Sequence, residues 1–305
     1  MSWKLVAHAP KPVVQSALAA HETVDDWPAE IVLTGAELAE DRPDEWVLEA
    51  YLPRRPAARD RAAIAALFPS PAPDLAAEKL PETDWVTESQ KRVAPIRAGR
   101  FYVHTPDHPA DETPGTVDFT IPAAQAFGTG QHATTAGCLA MLDAMKRRGT
   151  IVRSAADIGT GTGLLAFAAR ALWPAARIVA SDIDPVCEAV VAENAALNGV
   201  PLGLGRERGR GAVAMVTAEG TAHPLIRARA PYDLVIANIL AGPLIGLAGD
   251  LAAIASPRAS LLLAGLLTTQ EDAVRAAYRT AGFRLAARLH SGDWSILWLR
   301  ARIAV

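Results

Sequence analysis

From about residue 116 to the C-terminus, short apolar runs alternate with helix-patterned stretches, and nothing else in the chain limits its fold so tightly. Apolar runs stand at 152–158, 177–182, 212–216, 233–237 and 260–264. Between them, helical patterning covers 164–172, 185–197, 243–254 and 269–281, and 285–289 with 294–299 reads as a closing hairpin. Runs that are apolar throughout, rather than at every second position, belong to strands buried on both faces. Strands and helices in alternation give a mostly parallel sheet with helices on either side. The predicted class is therefore α/β, Rossmann-like, over residues 116–305. Such a sheet binds ligands outside the carboxyl ends of its strands, near the point where strand order reverses.

The first 80 residues read differently. Strand-like segments at 3–7, 31–33, 46–52 and 75–79 are interleaved with helical ones at 12–20 and 59–68. The order β-α-β-β-α-β is the ferredoxin-like split pattern. Pro69, Pro71, Pro73 and Pro81 punctuate its end. Residues 81–115 read as a linker, with a helix carrying Trp85, Gln90 and Arg92 that stops before Pro95, a strand at 100–104 and a polar loop at 106–115. The predicted organisation is 1–80, linker 81–115, and 116–305.

Charge and cysteine content narrow the function. Thirty Lys and Arg stand against 33 Asp and Glu, a net charge of −3. A protein that holds nucleic acid by phosphate neutralisation alone needs a cationic excess, so direct nucleic-acid contact is expected to be secondary at most. Cys138 and Cys187 cannot build a disulfide scaffold, which points to a reducing compartment. After Lys4 the apolar start is broken by His8, Pro10, Lys11 and Pro12, so no secretory h-region is read. The most membrane-like stretch, 234–249, carries Asn238 and Pro243 and is shorter than the roughly 18 residues of a spanning helix. It reads as a buried strand, a turn and an amphipathic helix. A cytoplasmic protein is expected, with no membrane partner. No CxxC spacing occurs, and no metal is expected.

The chemistry is concentrated at strand ends. Asp157-Ile158-Gly159-Thr160-Gly161-Thr162-Gly163 joins a strand to a helix. Glycines there bring backbone N–H groups close to a ligand at a helix N-terminus. The dinucleotide fingerprint would need its third glycine at Leu164. The plain alternative is a tight turn. Asp182 follows Gly159 by 23 residues, about where an acid meets ribose hydroxyls, whereas Asp184 before Pro185 suits a helix cap. Asn238 falls at the end of the strand at 233–237, either as a turn residue or as an amide offering one acceptor and two donors to an amine. Phe127-Gly128-Thr129-Gly130-Gln131-His132-Ala133-Thr134-Thr135 precedes the helix before the first strand, with Thr134 and Thr135 as candidate caps and His132 as an ordinary histidine. Lys146-Arg147-Arg148 and the Arg206–Arg210 run read as solvated loops, and Trp173, Trp294 and Trp298 as core or interface residues.

Taken together, the segments at 127–135, 157–166, 182–185, 193–200, 237–244 and 264–274 closely resemble the ribosomal protein L11 methyltransferase family, with 84–90 fitting its linker. The resemblance implies a class I methyltransferase domain behind a small ferredoxin-like domain that recognises the protein substrate. It also implies S-adenosyl-L-methionine as cofactor. Cofactor contacts carry over onto Thr135, Gly159, Asp182 and Asn238, with Phe127, Gly128, Asp157, Gly161, Gly163 and Ile183 beside them in the same motifs. Asn238 would also position the substrate amine. The implied activity is N-methylation of lysine side chains or the α-amine of ribosomal protein L11, free or on the large ribosomal subunit. The alternative is a same-fold enzyme acting on another protein or on an exocyclic amine of RNA. The chain departs from the family pattern at Gln131, at Ala133 and in the Arg/Gly-rich loop at 203–211.

Overall fold

A computed structural model describes residues 3–21, 24, 27–28, 30–38, 44–79, 94–122, 131–204 and 212–302. The chain divides into two compact units, residues 1–87 and 88–305.

The first unit contains β1 (Trp3–Pro10), α1 (Lys11–His21), β2 (Val32–Glu37), β3 (Glu45–Leu52), α2 (Ala58–Ala65) and β4 (Ala76–Lys79). Its sheet has the order β2-β3-β1-β4, and every pairing is antiparallel. This is the β-α-β-β-α-β arrangement expected from the sequence. Alternation decides which face is inward: Leu48, Ala50 and Leu52 point one way from β3 and meet Leu5 and Ala7 of β1, Val14 and Ala17 of α1 and Ile64 of α2.

The second unit begins with a small sheet of β5 (Ile96–Ala98), β6 (Phe101–His104) and β7 (Val117–Thr120). The sequence pattern assigns 96–115 to the linker. Instead, Ile96, Ala98, Phe101 and Val103 join Leu139 and Leu142 of the following helix in the core of this unit. The part of the linker containing Trp85, Gln90 and Arg92 lies outside the described residues.

The remaining elements are α3 (Gln131–Arg147), β8 (Ser154–Ile158), α4 (Leu164–Leu172), β9 (Arg177–Asp182), α5 (Val186–Leu197), β10 (Leu202–Leu204), β11 (Val213–Thr217), α6 (Pro224–Arg229), β12 (Tyr232–Asn238), α7 (Ala241–Gly246), α8 (Ala248–Ala253), β13 (Ala255–Leu267), α9 (Glu271–Thr280), β14 (Phe283–Ser291) and β15 (Trp294–Ala301). They form one sheet of order β10-β11-β9-β8-β12-β13-β15-β14. It is parallel from β10 to β13 and antiparallel at β15 and β14. Both faces are buried, as the continuous apolar runs require. Leu234 and Ile236 of β12 pack on the face covered by α3 and α4, while Val235 and Ala237 pack on the face covered by α7, α8 and α9.

The chain leaves β8 toward β9 and β11 on one side and returns to β12 on the other, so the order reverses between β8 and β12. The apolar stretch at 234–249 is a strand, a turn and two short helices, and no helix among the described residues is long and apolar enough to cross a membrane.

Candidate active site

The carboxyl ends of β8 and β12 flank the reversal, the place where an open α/β sheet forms its ligand crevice, and the glycine segment leads out of β8 at that point. Gly159, Gly161 and Gly163 have φ of 73°, 56° and 83°, a region glycine enters without the penalty of a Cβ. The three are not equivalent. A Cβ on Gly163 would lie 2.7 Å from Phe167 Cζ, and one on Gly159 would overlap Ile239 Cγ2. A Cβ on Gly161 would meet nothing within 4 Å. Two of these glycines therefore permit close packing, while Gly161 faces open space. The N–H groups of Gly159 and Thr160 both donate to the carbonyl of Ser181, at 2.8 and 2.9 Å, which holds the turn against the end of β9.

Asp182 ends β9 beside this turn. Its Oδ2 accepts from the Gly161 N–H at 2.8 Å, and its Oδ1 accepts from the Asp184 N–H at 3.1 Å. The structure thus brings together the two features that the sequence singled out separately, the glycine turn and the strand-end acid. Ile183, next in the chain, is 66% exposed. Asp184 behaves as a cap: its Oδ1 accepts from the Val186 N–H at 2.9 Å at the start of α5.

Asp157 lies beneath the turn, 1% exposed. Its Oδ2 accepts from the Thr160 hydroxyl at 2.6 Å, while Oδ1 has no partner among the described residues. Burial pushes its pKa up to about 7, opposed by the Thr160 hydrogen bond. Desolvation disfavours a charge that so few donors can satisfy.

Asn238 closes β12, paired with Ala264 of β13. It is half-buried, and its side-chain amide forms no hydrogen bond among the described residues. Ile239 fixes it in place: its N–H donates to the Ala264 carbonyl at 3.1 Å, and its side chain fits over Gly159. Its backbone lies so close to Gly265, whose φ is 83°, that a Cβ there would sit 2.9 Å from Ile239 N and closer still to its carbonyl. Thr134 and Thr135 do not cap a helix, because α3 already begins at Gln131 and encloses both. Thr134 is buried and Thr135 half-buried in its first turns. Phe127 and Gly128, with the rest of 123–130, lie outside the described residues, as does the Arg206–Arg210 run.

Two asparagines at the C-terminal end of α5 escape the sequence reading. Asn194, 3% exposed, donates its amide to the carbonyl of Thr162 in the glycine turn at 2.9 Å. One helical turn later, Asn198 accepts from the Thr120 N–H and donates to the Thr120 carbonyl, both at 2.8 Å. Residues four apart share a helix face, so one face of α5 grips both the glycine turn and the end of β7, the strand that leads toward 123–130. His104 supports the same strand, with Nε2 3.1 Å from Asp118 and 3.3 Å from the Thr120 hydroxyl. His108 stands four residues after it, but the second His104 ring nitrogen lies 2.7 Å from the Thr105 carbonyl, so both of its nitrogens face protein oxygens. The i, i+4 spacing of the two asparagines at the end of the helix was the available signal.

A glycine turn open at Gly161 and tied to a strand-end carboxylate fits a ligand with ribose hydroxyls. The family model for ribosomal protein L11 methyltransferase (PrmA) matches residues 13–302. The chain belongs to this family. The ribosomal protein L11 methyltransferase of Brucella suis is 43% identical over 224 residues, covering 73% of this chain and 74% of that one. That of Agrobacterium fabrum is 37% identical over 273 residues, 89% of each chain. Among solved structures, a ribosomal protein L11 methylase from Lactobacillus delbrueckii subsp. bulgaricus aligns with a TM-score of 0.56 at 25% identity, covering 69% of this chain and all of the other. This member of the family is a methyltransferase, and its larger unit has the class I methyltransferase fold.

Proposed function

We propose that this enzyme transfers methyl groups from S-adenosyl-L-methionine to amino groups of ribosomal protein L11, with Asp182 and the Gly159–Gly163 turn as the cofactor cradle and Asn238 as the residue that positions the amine. The observation carrying this reading is the hydrogen bond between Gly161 and Asp182, which ties the turn after β8 to the end of β9, together with a strand-end Asn238 whose amide has no partner among the described residues. The residues present suit the cofactor. Asp182 can accept two ribose hydroxyls, the exposed Ile183 offers an apolar surface for a base, and the open side of Gly161 leaves room for close backbone approach. Bound S-adenosylmethionine supplies a sulfonium methyl. The protein's task is alignment, a proximity and orientation effect. The Asn238 carbonyl accepts an N–H of the incoming amine and turns its lone pair into the crevice.

The amine must arrive neutral. At pH 7 an α-amine with pKa near 7.7–8.0 needs about 1 kcal/mol for this and a lysine near 10.4 about 5. Asp157, with a pKa near neutrality, is buried under the turn and hydrogen-bonded to Thr160, so it does not face the amine. Deprotonation before or during binding, without a dedicated base, supports a lysine rate that rises about tenfold per pH unit from 7 to 9. An α-amine rate would level off near pH 8. Free L11 and intact large subunits, each incubated with labelled cofactor, distinguish the form of the substrate, and intact mass counts the methyls. Label in ribosomal RNA instead of protein would overturn the reading. Asp182→Ala should weaken cofactor binding by roughly 1.5–3 kcal/mol, the cost of losing hydrogen bonds to a charged group, and an unchanged dissociation constant would remove the ribose assignment.

A further inference from the structure

The C-terminal edge of the larger unit carries charge that the methyl-transfer site does not use. Residues 271–302 hold six arginines and three carboxylates in a chain whose net charge is −3. Glu271, 4% exposed, absorbs two of the six: Arg275 at 3.3 Å and Arg288 at 3.1 Å, with His290 at 2.8 Å and the Ser295 hydroxyl at 3.0 Å completing its shell. Arg275 also reaches Asp272, at 3.4 Å. The other four, Arg279, Arg284, Arg300 and Arg302, are exposed and have no acidic partner among the described residues. Arg284 and Arg300 are direct cross-strand partners on β14 and β15. Like charges in that position are destabilising. Between α9 and the hairpin, Arg275, Arg279, Arg284 and Arg302 line a groove of about 350 Å³ whose apolar floor includes Phe283 and Leu299.

Protection of the sheet edge explains part of this. β14 is the edge strand, and cations on an edge deter pairing with another chain. That accounts for Arg284 and Arg288. It leaves Arg300 on the inner strand, Arg279 on the helix and Arg302 beyond the sheet. Asp272 shares the groove and pairs with Arg275, which leaves Arg279, Arg284 and Arg302 around it without an acidic partner among the described residues. Guanidinium groups placed in this way are suited to phosphate, which their planar forks bind in a bidentate manner.

We propose that this edge is a contact surface for the phosphate backbone of RNA, used when the protein substrate is approached in its RNA-bound form. The inference rests on the ribosomal-protein reading above, because such a substrate brings phosphate backbone with it. The contact is auxiliary and reads no sequence, since phosphate contacts position without specifying.

The test uses the full-length enzyme and a fluorescein-labelled RNA duplex of about 16 base pairs. If three phosphates are neutralised at about 0.9 counter-ions each, a fourfold rise in salt weakens binding about 40-fold. The triple variant Arg279→Gln, Arg284→Gln, Arg302→Gln should lose most of this dependence and bind at least tenfold more weakly at low salt. It should methylate free L11 at the wild-type rate, because none of the three touches the crevice. Equal RNA binding by wild type and variant, or none by the wild type, overturns the proposal. Full displacement of the duplex by inorganic pyrophosphate at matched phosphate concentration also overturns it, in favour of a small-anion site. Failure of free L11 to be methylated by either protein would defeat the substrate reading and leave the RNA measurement to stand or fall by itself.

Discussion

Single glycines in this enzyme have opposite uses, and two substitutions separate them. At Gly265 an added Cβ would collide with the carbonyl, carbon and nitrogen of Ile239, the residue that holds Asn238. Backbone cannot move aside as a flexible side chain can. Gly265→Ala should therefore cost more than the roughly 1–3 kcal/mol of a strained φ alone, and lower both the thermal midpoint and the turnover. At Gly161 nothing lies within 4 Å of the added methyl. Gly161→Ala should cost only about 1–2 kcal/mol of left-handed strain, yet weaken cofactor binding by calorimetry, because the methyl points into the crevice. Equal loss of stability in the two variants would show that Gly161 is packed after all. Asp157 gives a third test through pH. Its folded pKa of about 7 lies above the ordinary 3.8, so between those values the folded protein binds the proton more tightly than the unfolded chain. Stability from this group is therefore fully present below about pH 4 and is lost as pH rises toward 7, by about 4 kcal/mol in total. Asp157→Asn removes that slope. Urea midpoints measured from pH 4.5 to 8 should fall more steeply for wild type than for the variant, and parallel curves would refute the assignment.

Among the elements, α5 has a role that its sequence hardly announces. Through Asn194 it holds the glycine turn, and through Asn198 it holds both backbone groups of Thr120. Asn198→Leu keeps the size and deletes both bonds, leaving the Thr120 N–H and C=O to find water. Asn198→Asp keeps the acceptor for the Thr120 N–H alone. If the helix sets the width of the cofactor pocket, KM for S-adenosylmethionine should rise at least several-fold in the leucine variant and recover in part with aspartate, while KM for L11 stays constant. A uniform change in both, tracking the loss of thermal stability, would mean that the helix is only structural. The same scale shows what the sequence alone makes legible. Strands β8 and β9 and helix α4 were legible because burial on both faces writes an unbroken apolar run, and glycine or Asp-Pro marks the boundaries. The turn, Asp182 and Asn238 were legible because each sits where such a strand stops. The small sheet at 96–120 was not, because its strands are three or four residues long and become core only through contact with α3. Nor was the pairing of Asn198 with Thr120, which spans 78 positions and has no local period. The tandem Lys146-Arg147-Arg148, expected as a solvated loop, has exposed arginines but ends α3, with Lys146 5.7 Å from the Trp173 ring, Arg148 5.7 Å from that of Trp298 and Arg147 3.1 Å from Asp143. Cations at this range from tryptophan faces gain a modest attraction, and composition alone carries no sign of it.

At the scale of the whole molecule, the cores decide which parts can act alone. The residues packed around Leu5, Leu48 and Ile64 all belong to 1–87, whereas the two clusters on either face of the large sheet draw only on 88–305. Among the described residues, no core cluster draws on both units. The hydrogen bonds placing Gly161, Asp182 and Asn198 also lie within the second unit. A chain beginning at Glu88 should therefore unfold cooperatively and bind S-adenosylmethionine with the affinity of the full enzyme. The first unit adds a surface of its own, where Arg54 bridges Asp60 and Glu30, each at 2.6 Å, beside a cavity of about 610 Å³ lined in part by Trp27 and Leu67. The family resemblance gives this unit the recognition of the protein substrate, and we propose that role for it here. Calorimetry with the cofactor and methyl transfer to L11 should then separate in the shortened chain, the first unchanged and the second reduced by orders of magnitude. Adding residues 1–87 back as a separate chain should not restore transfer, since the covalent connection supplies the effective concentration that holds a recognised substrate near the crevice. If cofactor affinity and transfer fell together, the division of labour between the units would be wrong. The cradle would then have to depend on contacts from the first unit.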